Sequence, residues 1–201
     1  MSTRRMFSLI FGVYEALNYK PENHILVIGL DHAGKSTMLE YMKGQFGKQQ
    51  SLPPDRITPT VGMNIAKFNY AGSHIMMWDL GGQLKMRSMW ESYYDEADGV
   101  IFIVDAADPD RFEEARQTFL RVREDEKLSH IPIVIFANKQ DKPGAQSVSG
   151  LNAEFFMTHG NRGQEVAQIF GVSAITGRGV DEALVHLVRQ IKYQDTYATA
   201  R

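Results

Sequence analysis

No stretch of this chain restricts its fold as tightly as residues 24–37, which read His-Ile-Leu-Val-Ile-Gly-Leu-Asp-His-Ala-Gly-Lys-Ser-Thr. Residues 24–28 form an apolar, β-branched run that predicts a buried strand. Residues 29–36 then match G-x-x-x-x-G-K-[ST] at each fixed position. The glycines let the backbone bend until successive N–H groups converge on one anion, and the helix that follows adds its N-terminal partial positive charge. Asp31, His32, Ala33, Gly34 and Thr37 fall in this polyphosphate cradle. Lys35 would reach the β- and γ-phosphates, and the Ser36 hydroxyl suits Mg²⁺.

A strand that hands its phosphate site to a helix belongs in an α/β layer, and 201 residues at 43% hydrophobic content suffice for one such domain. The net charge of -2 offers no electrostatic footprint for nucleic acid, and no apolar run is long enough to span a bilayer. The absence of cysteine excludes a disulfide framework, a thiolate zinc site, a thiol nucleophile and an acceptor for palmitoyl or prenyl groups. That composition fits a reducing cytosol. None of the six histidines has metal-site spacing, and His32 should face solvent.

In chain order, residues 1–20 place Met6, Phe7, Ile10, Phe11, Val13, Tyr14 and Leu17 at spacings of three and four, predicting an amphipathic helix ahead of the domain. Arg4 and Arg5 superficially resemble a twin-arginine export signal, but the apolar run is short and no small-residue cleavage site follows. The helix either covers the core or lies in a membrane interface, as its Phe, Ile and Met content suits. The domain itself is expected over 21–192, with a frayed tail over 193–201.

After the phosphate loop, a helix over 36–43 should end at Gly44 and Gly47, and residues 48–58 with Pro53 and Pro54 should form a surface loop. A segment that can leave is where a second Mg²⁺ ligand is needed; Thr60 is the stronger choice and Thr58 the alternative. Residues 63–70 and 74–78 predict two strands joined at Ala71, Gly72 and Ser73. Asp79, at the end of the second, suits a carboxylate holding Mg²⁺ through water. Gly82 can offer an N–H to a γ-phosphate, and Gln83 can orient an attacking water.

Residues 99–105 form a continuous apolar run, as a strand buried on both faces should. Asp108 is expected to cap a helix with Pro109 in its first turn and with Phe112, Ala115, Phe119 and Val122 inward. A further strand over 131–137 delivers Asn138, Lys139 and Asp141. Asp141 can accept two hydrogen bonds from guanine that adenine does not offer, the Lys139 stem can lie along the base, and Asn138 can tie this loop to the phosphate loop. Helical residues over 151–157 and a polar loop over 159–164 precede a last strand near 166–172. Ser173 and Ala174 then supply a backbone N–H for the guanine oxygen, and a helix over 180–191 closes the sheet.

Taken in order, Gly-Leu-Asp-His-Ala-Gly-Lys-Ser-Thr, Pro-Thr-Val-Gly, Trp-Asp-Leu-Gly-Gly-Gln, Asn-Lys-Gln-Asp and Ser-Ala make residues 6–191 resemble the ADP-ribosylation factor family of small GTPases, in particular its Arf-related protein subgroup. Asp31 and residues 78–83 are the features particular to that family. The resemblance implies a P-loop NTPase of small GTPase fold, with a mostly parallel six-stranded sheet and helices on both faces. It implies GTP or GDP with Mg²⁺ as ligands and slow hydrolysis. Its expected partners are a guanine nucleotide exchange factor, a GTPase-activating protein and effectors, acting on residues 53–93 of a monomer. It further implies a cytoplasmic protein reversibly recruited to the Golgi or another endomembrane through the N-terminal helix, in a role in membrane traffic.

The departures from the family pattern carry their own expectations. Ser2 stands where the family commonly has a myristoylated glycine, so that modification is excluded. The similarity suggests acetylation of Ser2 and a membrane receptor instead. Met63 replaces the usual phenylalanine on the effector surface beside Trp78 and Tyr93. Asp31 should crowd the space of the attacking water, and Arg56 is the arginine that could act on the phosphate in cis. A nucleotide kinase would share the phosphate loop but not the guanine motif, and it would bring an arginine-rich lid. A GTP-binding interaction module with negligible turnover would differ only in leaving Gln83 unused.

Overall fold

The structure, a computed structural model, describes residues 21–157 and 167–198; the expected N-terminal helix and the 159–164 loop lie outside them. A six-stranded sheet runs in the order β2-β3-β1-β4-β5-β6. Its strands are β1 (Glu22–Gly29), β2 (Met63–Tyr70), β3 (Ser73–Leu80), β4 (Gly99–Asp105), β5 (Ile133–Asn138) and β6 (Gln168–Gly171). Only β2 is antiparallel to its neighbour. The mostly parallel sheet implied by the family resemblance is therefore present.

The strand periodicity of two sorts the core into halves. Ile25, Val27, Ile101, Ile103, Val134 and Phe136 face one side and pack with Met38, Leu39 and Met42 of α1 (Lys35–Gln45). The apolar stripe of α4 (Val180–Ala198), from Val180 to Ile191, completes that layer. Leu26, Ile28, Val100, Phe102, Val104 and Ile135 face the other side, against Phe112, Ala115, Phe119 and Val122 of α2 (Phe112–Glu124) and Leu151 of the short α3 (Val148–Asn152). Strands sandwiched in this way must be apolar along their buried length, as β4 is from Gly99 to Val104.

Several boundaries differ from expectation for physical reasons. Asp108 makes no side-chain cap; Pro109–Arg111 form a 3-10 turn, and α2 starts only at Phe112. The break falls at Arg111, whose guanidinium is bonded to the phosphate loop. The expected frayed tail is helical through Ala198, since no glycine or proline follows Gly179 to stop α4. Residues Leu84–Glu96, where no element was expected, form a long 3-10 run that buries Trp90 and Tyr94. Among the described residues, no helix is long and apolar enough to cross a membrane.

The β2–β3 hairpin turns at Ala71 (φ 47°) and Gly72 (φ 79°), the two positive angles of a type I′ turn. Its tip is fastened to α4. Tyr70 Oη donates to Asp181 Oδ1 at 2.7 Å, and Lys192 Nζ donates to the Ala71 carbonyl.

Candidate functional site

Strand β1 ends at Gly29, whose φ of 140° and close packing leave no room for a side chain: a Cβ there would lie 2.2 Å from the Ile103 carbonyl oxygen. The chain then turns through His32 (φ 63°) and Gly34 (φ 93°) into α1. Gly34 is the helix N-cap and offers no side chain to the free N–H groups of the first turn. Those donors are left for an anion. The loop opens on a cavity of about 350 Å³ lined by Asp31, His32, Gly34, Lys35, Ser36, Thr37, Thr58, Thr60, Gly82, Gln83 and Lys139. Ala33 is buried behind it, and the His32 imidazole faces solvent as expected.

Lys35 is nearly fully buried, and its Nζ donates to the Leu30 carbonyl at 2.8 Å. Burial pushes its ammonium down to about 8, against the opposing pull of the Asp79 and Asp31 carboxylates. A cation held this dry gains strongly from a phosphate opposite it. Gly82 packs on the same loop: a Cβ on it would meet Lys35 Nζ at 2.4 Å and Asp31 N at 2.5 Å. Only glycine brings this backbone so close to the place where a terminal phosphate would sit.

Three oxygens meet beside Lys35. Ser36 Oγ donates to Asp79 Oδ2 at 2.6 Å, Ser36 Oγ and Thr60 Oγ1 are 2.7 Å apart, and Thr60 Oγ1 donates to Asp79 Oδ2 at 3.1 Å. Of the two threonines considered, Thr60 is the one brought to Ser36 and Asp79. Asp79 is fully buried, and its Oδ1 has no hydrogen-bond partner among the described residues. Burial pushes its carboxyl up, while the Ser36 hydroxyl, the Lys35 ammonium and the Thr60 hydroxyl pull against it. Hard oxygen donors around one desolvated carboxylate fit Mg²⁺, whose adjacent ligands at ~2.0–2.1 Å stand about 2.9 Å apart. Ser36→Ala removes one of these oxygens, and Mg²⁺ titrations of the nucleotide complex are expected to show roughly 10- to 100-fold weaker metal dependence.

A second cluster forms where β5 and β6 end. Asn138 Nδ2 donates to the Ala33 carbonyl at 2.9 Å, tying this loop to the phosphate loop. Lys139, at φ 66°, pairs with Asp105 at 2.5 Å and reaches the rim of the cavity. Ser173 Oγ donates to Asp141 Oδ1 at 2.5 Å and fixes the carboxylate while leaving it exposed to a base. The N–H groups of Ser173 and Ala174 differ from expectation. They already donate, to the Arg178 carbonyl and to Asn138 Oδ1, each at 3.0 Å. A base oxygen here competes with Asn138 for the Ala174 N–H.

Arg56 is exposed on the 3-10 turn Pro54–Arg56 and is not among the cavity-lining residues, although Pro54 and Ile57 are. The structure does not bring it to the phosphate loop. Conversely, Arg87, Trp90, Arg111 and Glu114 support the site and were not singled out from the sequence. Trp90 Nε1 donates to the Gly81 carbonyl at 3.0 Å, and Arg87 Nε to the Gly82 carbonyl at 2.9 Å. The Arg-x-x-Glu spacing of 111 and 114 was the only local signal, and nothing local connects it to Asp31, eighty positions away.

The sequence pattern of the ADP-ribosylation factor family matches residues 10–191. The chain is similar to ADP-ribosylation factor-related protein 1 of Homo sapiens, 37% identical over 185 residues that cover 92% of each chain. It is also similar to ADP-ribosylation factor-like protein 3 of Saccharomyces cerevisiae, 36% identical over 188 residues, 93% of this chain and 94% of that one. Among solved structures it is similar to the Arl6 BBS3 small GTPase from Trypanosoma brucei with bound nucleotide analogue GppNp. That match has a TM-score of 0.73 and 29% identity, and covers 86% of this chain and 99% of the other.

Proposed function

The chain belongs to the ADP-ribosylation factor family, and from that premise we propose that it regulates membrane traffic, at the Golgi or a related endomembrane, by releasing an N-terminal helix when GTP is bound. As a member of the family it is a small GTPase switch that binds GTP or GDP with Mg²⁺ and hydrolyses GTP. The observation that carries the further reading is the closure of Thr60 onto Ser36 and Asp79, at the end of a loop whose residues 48–56 are exposed. Its first part is tied down, from the Leu52 N–H to Glu40 Oε2 at 2.7 Å and from Gln49 Nε2 to the Lys67 carbonyl at 2.8 Å, so the stretch that follows is the part that can move with what Thr60 binds.

The rest follows from the hairpin that continues this loop. In the present register Val27 pairs with Asp79, and the hairpin tip is fastened to α4. A slide must be by an even number of residues, because a shift of one turns each buried side chain outward. Two residues carry the tip about 6.6 Å, which would break the Tyr70–Asp181 bond. The GTP state keeps Thr60 and Gly82 at the phosphate and the tip on α4. The GDP state withdraws the hairpin and frees a groove for residues 6–17. Moving that helix from mostly docked to mostly released takes about 5.5 kcal/mol of differential affinity. Phe7, Ile10, Phe11, Tyr14 and Leu17 can each contribute up to about 1.5–3 kcal/mol, so the scale is adequate.

Hydrolysis is slow unaided, because the transition state needs a cation from a partner, worth about 10³- to 10⁵-fold in rate. Exchange factors, activating proteins and effectors read residues 53–93, where Val61, Met63, Ile65, Leu84 and Met89 are exposed apolar side chains. Attachment then comes from the released helix, from acetylated Ser2 and from a membrane receptor. Hydrogen exchange of residues 6–17 in full-length protein tests this reading. Protection with GDP that is lost with a non-hydrolysable GTP analogue is expected; equal protection in both states would make the helix a static cover.

A further inference from the structure

Four charged side chains close a ring across three separate stretches of the chain. Arg111 grips Asp31 of the phosphate loop twice, from Nη2 to Oδ1 at 2.7 Å and from Nη1 to the main-chain carbonyl at 2.9 Å. Its Nε donates to Glu114 Oε2 at 3.1 Å, and Glu114 Oε1 accepts from Arg87 Nη2 at 2.7 Å. Arg87 lies 3.8 Å from Asp31 Oδ1 and, through Nε, holds the Gly82 carbonyl at 2.9 Å. Two carboxylates and two guanidiniums leave the ring neutral.

The ring solves a problem that Asp31 creates. Asp31 lines the same cavity as Lys35, Thr60, Gly82 and Gln83, the residues at the end where a third phosphate would lie. A carboxylate there repels the added charge of a triphosphate and leaves a diphosphate little affected. Burial raises the Asp31 carboxyl, but the Arg111 hydrogen bond and charge outweigh it and hold the group below its ordinary value. Asp31 is thus ionised and must be restrained rather than neutralised by a proton. A planar guanidinium that takes both the side chain and the carbonyl fixes position as well as charge, which an ammonium cannot do.

We propose that Arg111 is a positioning residue for nucleotide discrimination: it holds the Asp31 carboxylate against the start of α2, away from the γ-phosphate, and so favours GTP relative to GDP. The same ring couples that restraint to Gly82, so the phosphate loop and the segment bearing Gln83 are set together. The proposal rests on the reading of the cavity as a guanine-nucleotide site.

The test is to measure the affinities of GDP and GppNp, each with Mg²⁺, for the full chain, for Arg111→Ala, and for Arg111→Ala combined with Asp31→Asn. Arg111→Ala lowers the GppNp-to-GDP affinity ratio on the order of tenfold, and the added Asp31→Asn returns the ratio toward that of the unaltered protein. Arg111→Lys, which keeps the charge but loses the fork, shifts the ratio in the same direction by less. An unchanged ratio, or a lowered ratio that Asp31→Asn does not recover, overturns the proposal and leaves Arg111 a structural support. Unaltered protein that binds neither nucleotide overturns the site reading itself and the proposal with it.

Discussion

Gln83→Leu leaves nucleotide binding in place and slows hydrolysis in the presence of a GTPase-activating protein by about 10²- to 10⁴-fold. Gln83 is half-buried on the cavity wall in an extended conformation (φ -60°, ψ 142°). The backbone on either side of it is fixed by bonds from Trp90 to Gly81, from Arg87 to Gly82 and from the Met86 N–H to the Gln83 carbonyl at 2.8 Å. A side chain on so rigid a mount can hold a water in line with the phosphate. Leucine fills similar space but has neither the amide donor nor the acceptor. Single-turnover rates decide the matter, and hydrolysis undiminished by the substitution removes Gln83 from the mechanism.

Asp141→Asn costs roughly 10³-fold in GTP affinity and moves preference toward xanthosine triphosphate. The carboxylate accepts from the two adjacent N–H donors of guanine, and bonds to a charged group are worth about 1.5–3 kcal/mol each. An amide presents one acceptor and one donor, so it clashes with the guanine amine yet suits the carbonyl that xanthine has in its place. Ser173 strengthens the expectation, because its hydroxyl holds Asp141 Oδ1 at 2.5 Å and limits the freedom of the side chain to turn away. Competition binding with GTP, ATP and xanthosine triphosphate reads the effect. Equal GTP affinity in the variant would show that the base is recognised elsewhere.

The parts of the site legible in the sequence are those fixed by contiguous residues. The phosphate loop announced itself because its glycines, lysine and serine must sit within one turn. The apolar run of β4 could be read because a strand buried on both faces has no choice of residue type. Asp79 and Asn138 were legible because each stands at the end of a strand that delivers it to the same edge of the sheet.

What was not legible depends on contacts across long separations. Arg111 looks like a solvated residue at a helix start until its guanidinium is seen on Asp31. The Ala174 N–H looked free for a base because the sequence does not reveal that Asn138 Oδ1 accepts it. The run of Leu84–Glu96 does carry a local signal, Met86, Met89, Trp90, Tyr93 and Tyr94 at spacings of three and four, but the spacing does not tell that Trp90 and Tyr94 enter the core or that the turns are 3-10. The ends of elements failed where capping depended on a distant partner, as at Asp108.

The central claim is that GTP, and not GDP, draws the Thr60 loop, the hairpin and the Gly82 segment into one arrangement. The two tryptophans of the chain report on it directly. Trp78 sits in β3, stacked on His24 at 4.8 Å and 5.7 Å from Tyr93, while Trp90 is bonded to the Gly81 carbonyl. Tryptophan fluorescence should be followed as GDP is exchanged for a non-hydrolysable GTP analogue with Mg²⁺, in the full chain and in Thr60→Ala. The account predicts a change in the full chain that an ATP analogue does not produce and that Thr60→Ala abolishes. Identical emission in the GDP-loaded and analogue-loaded protein would contradict it.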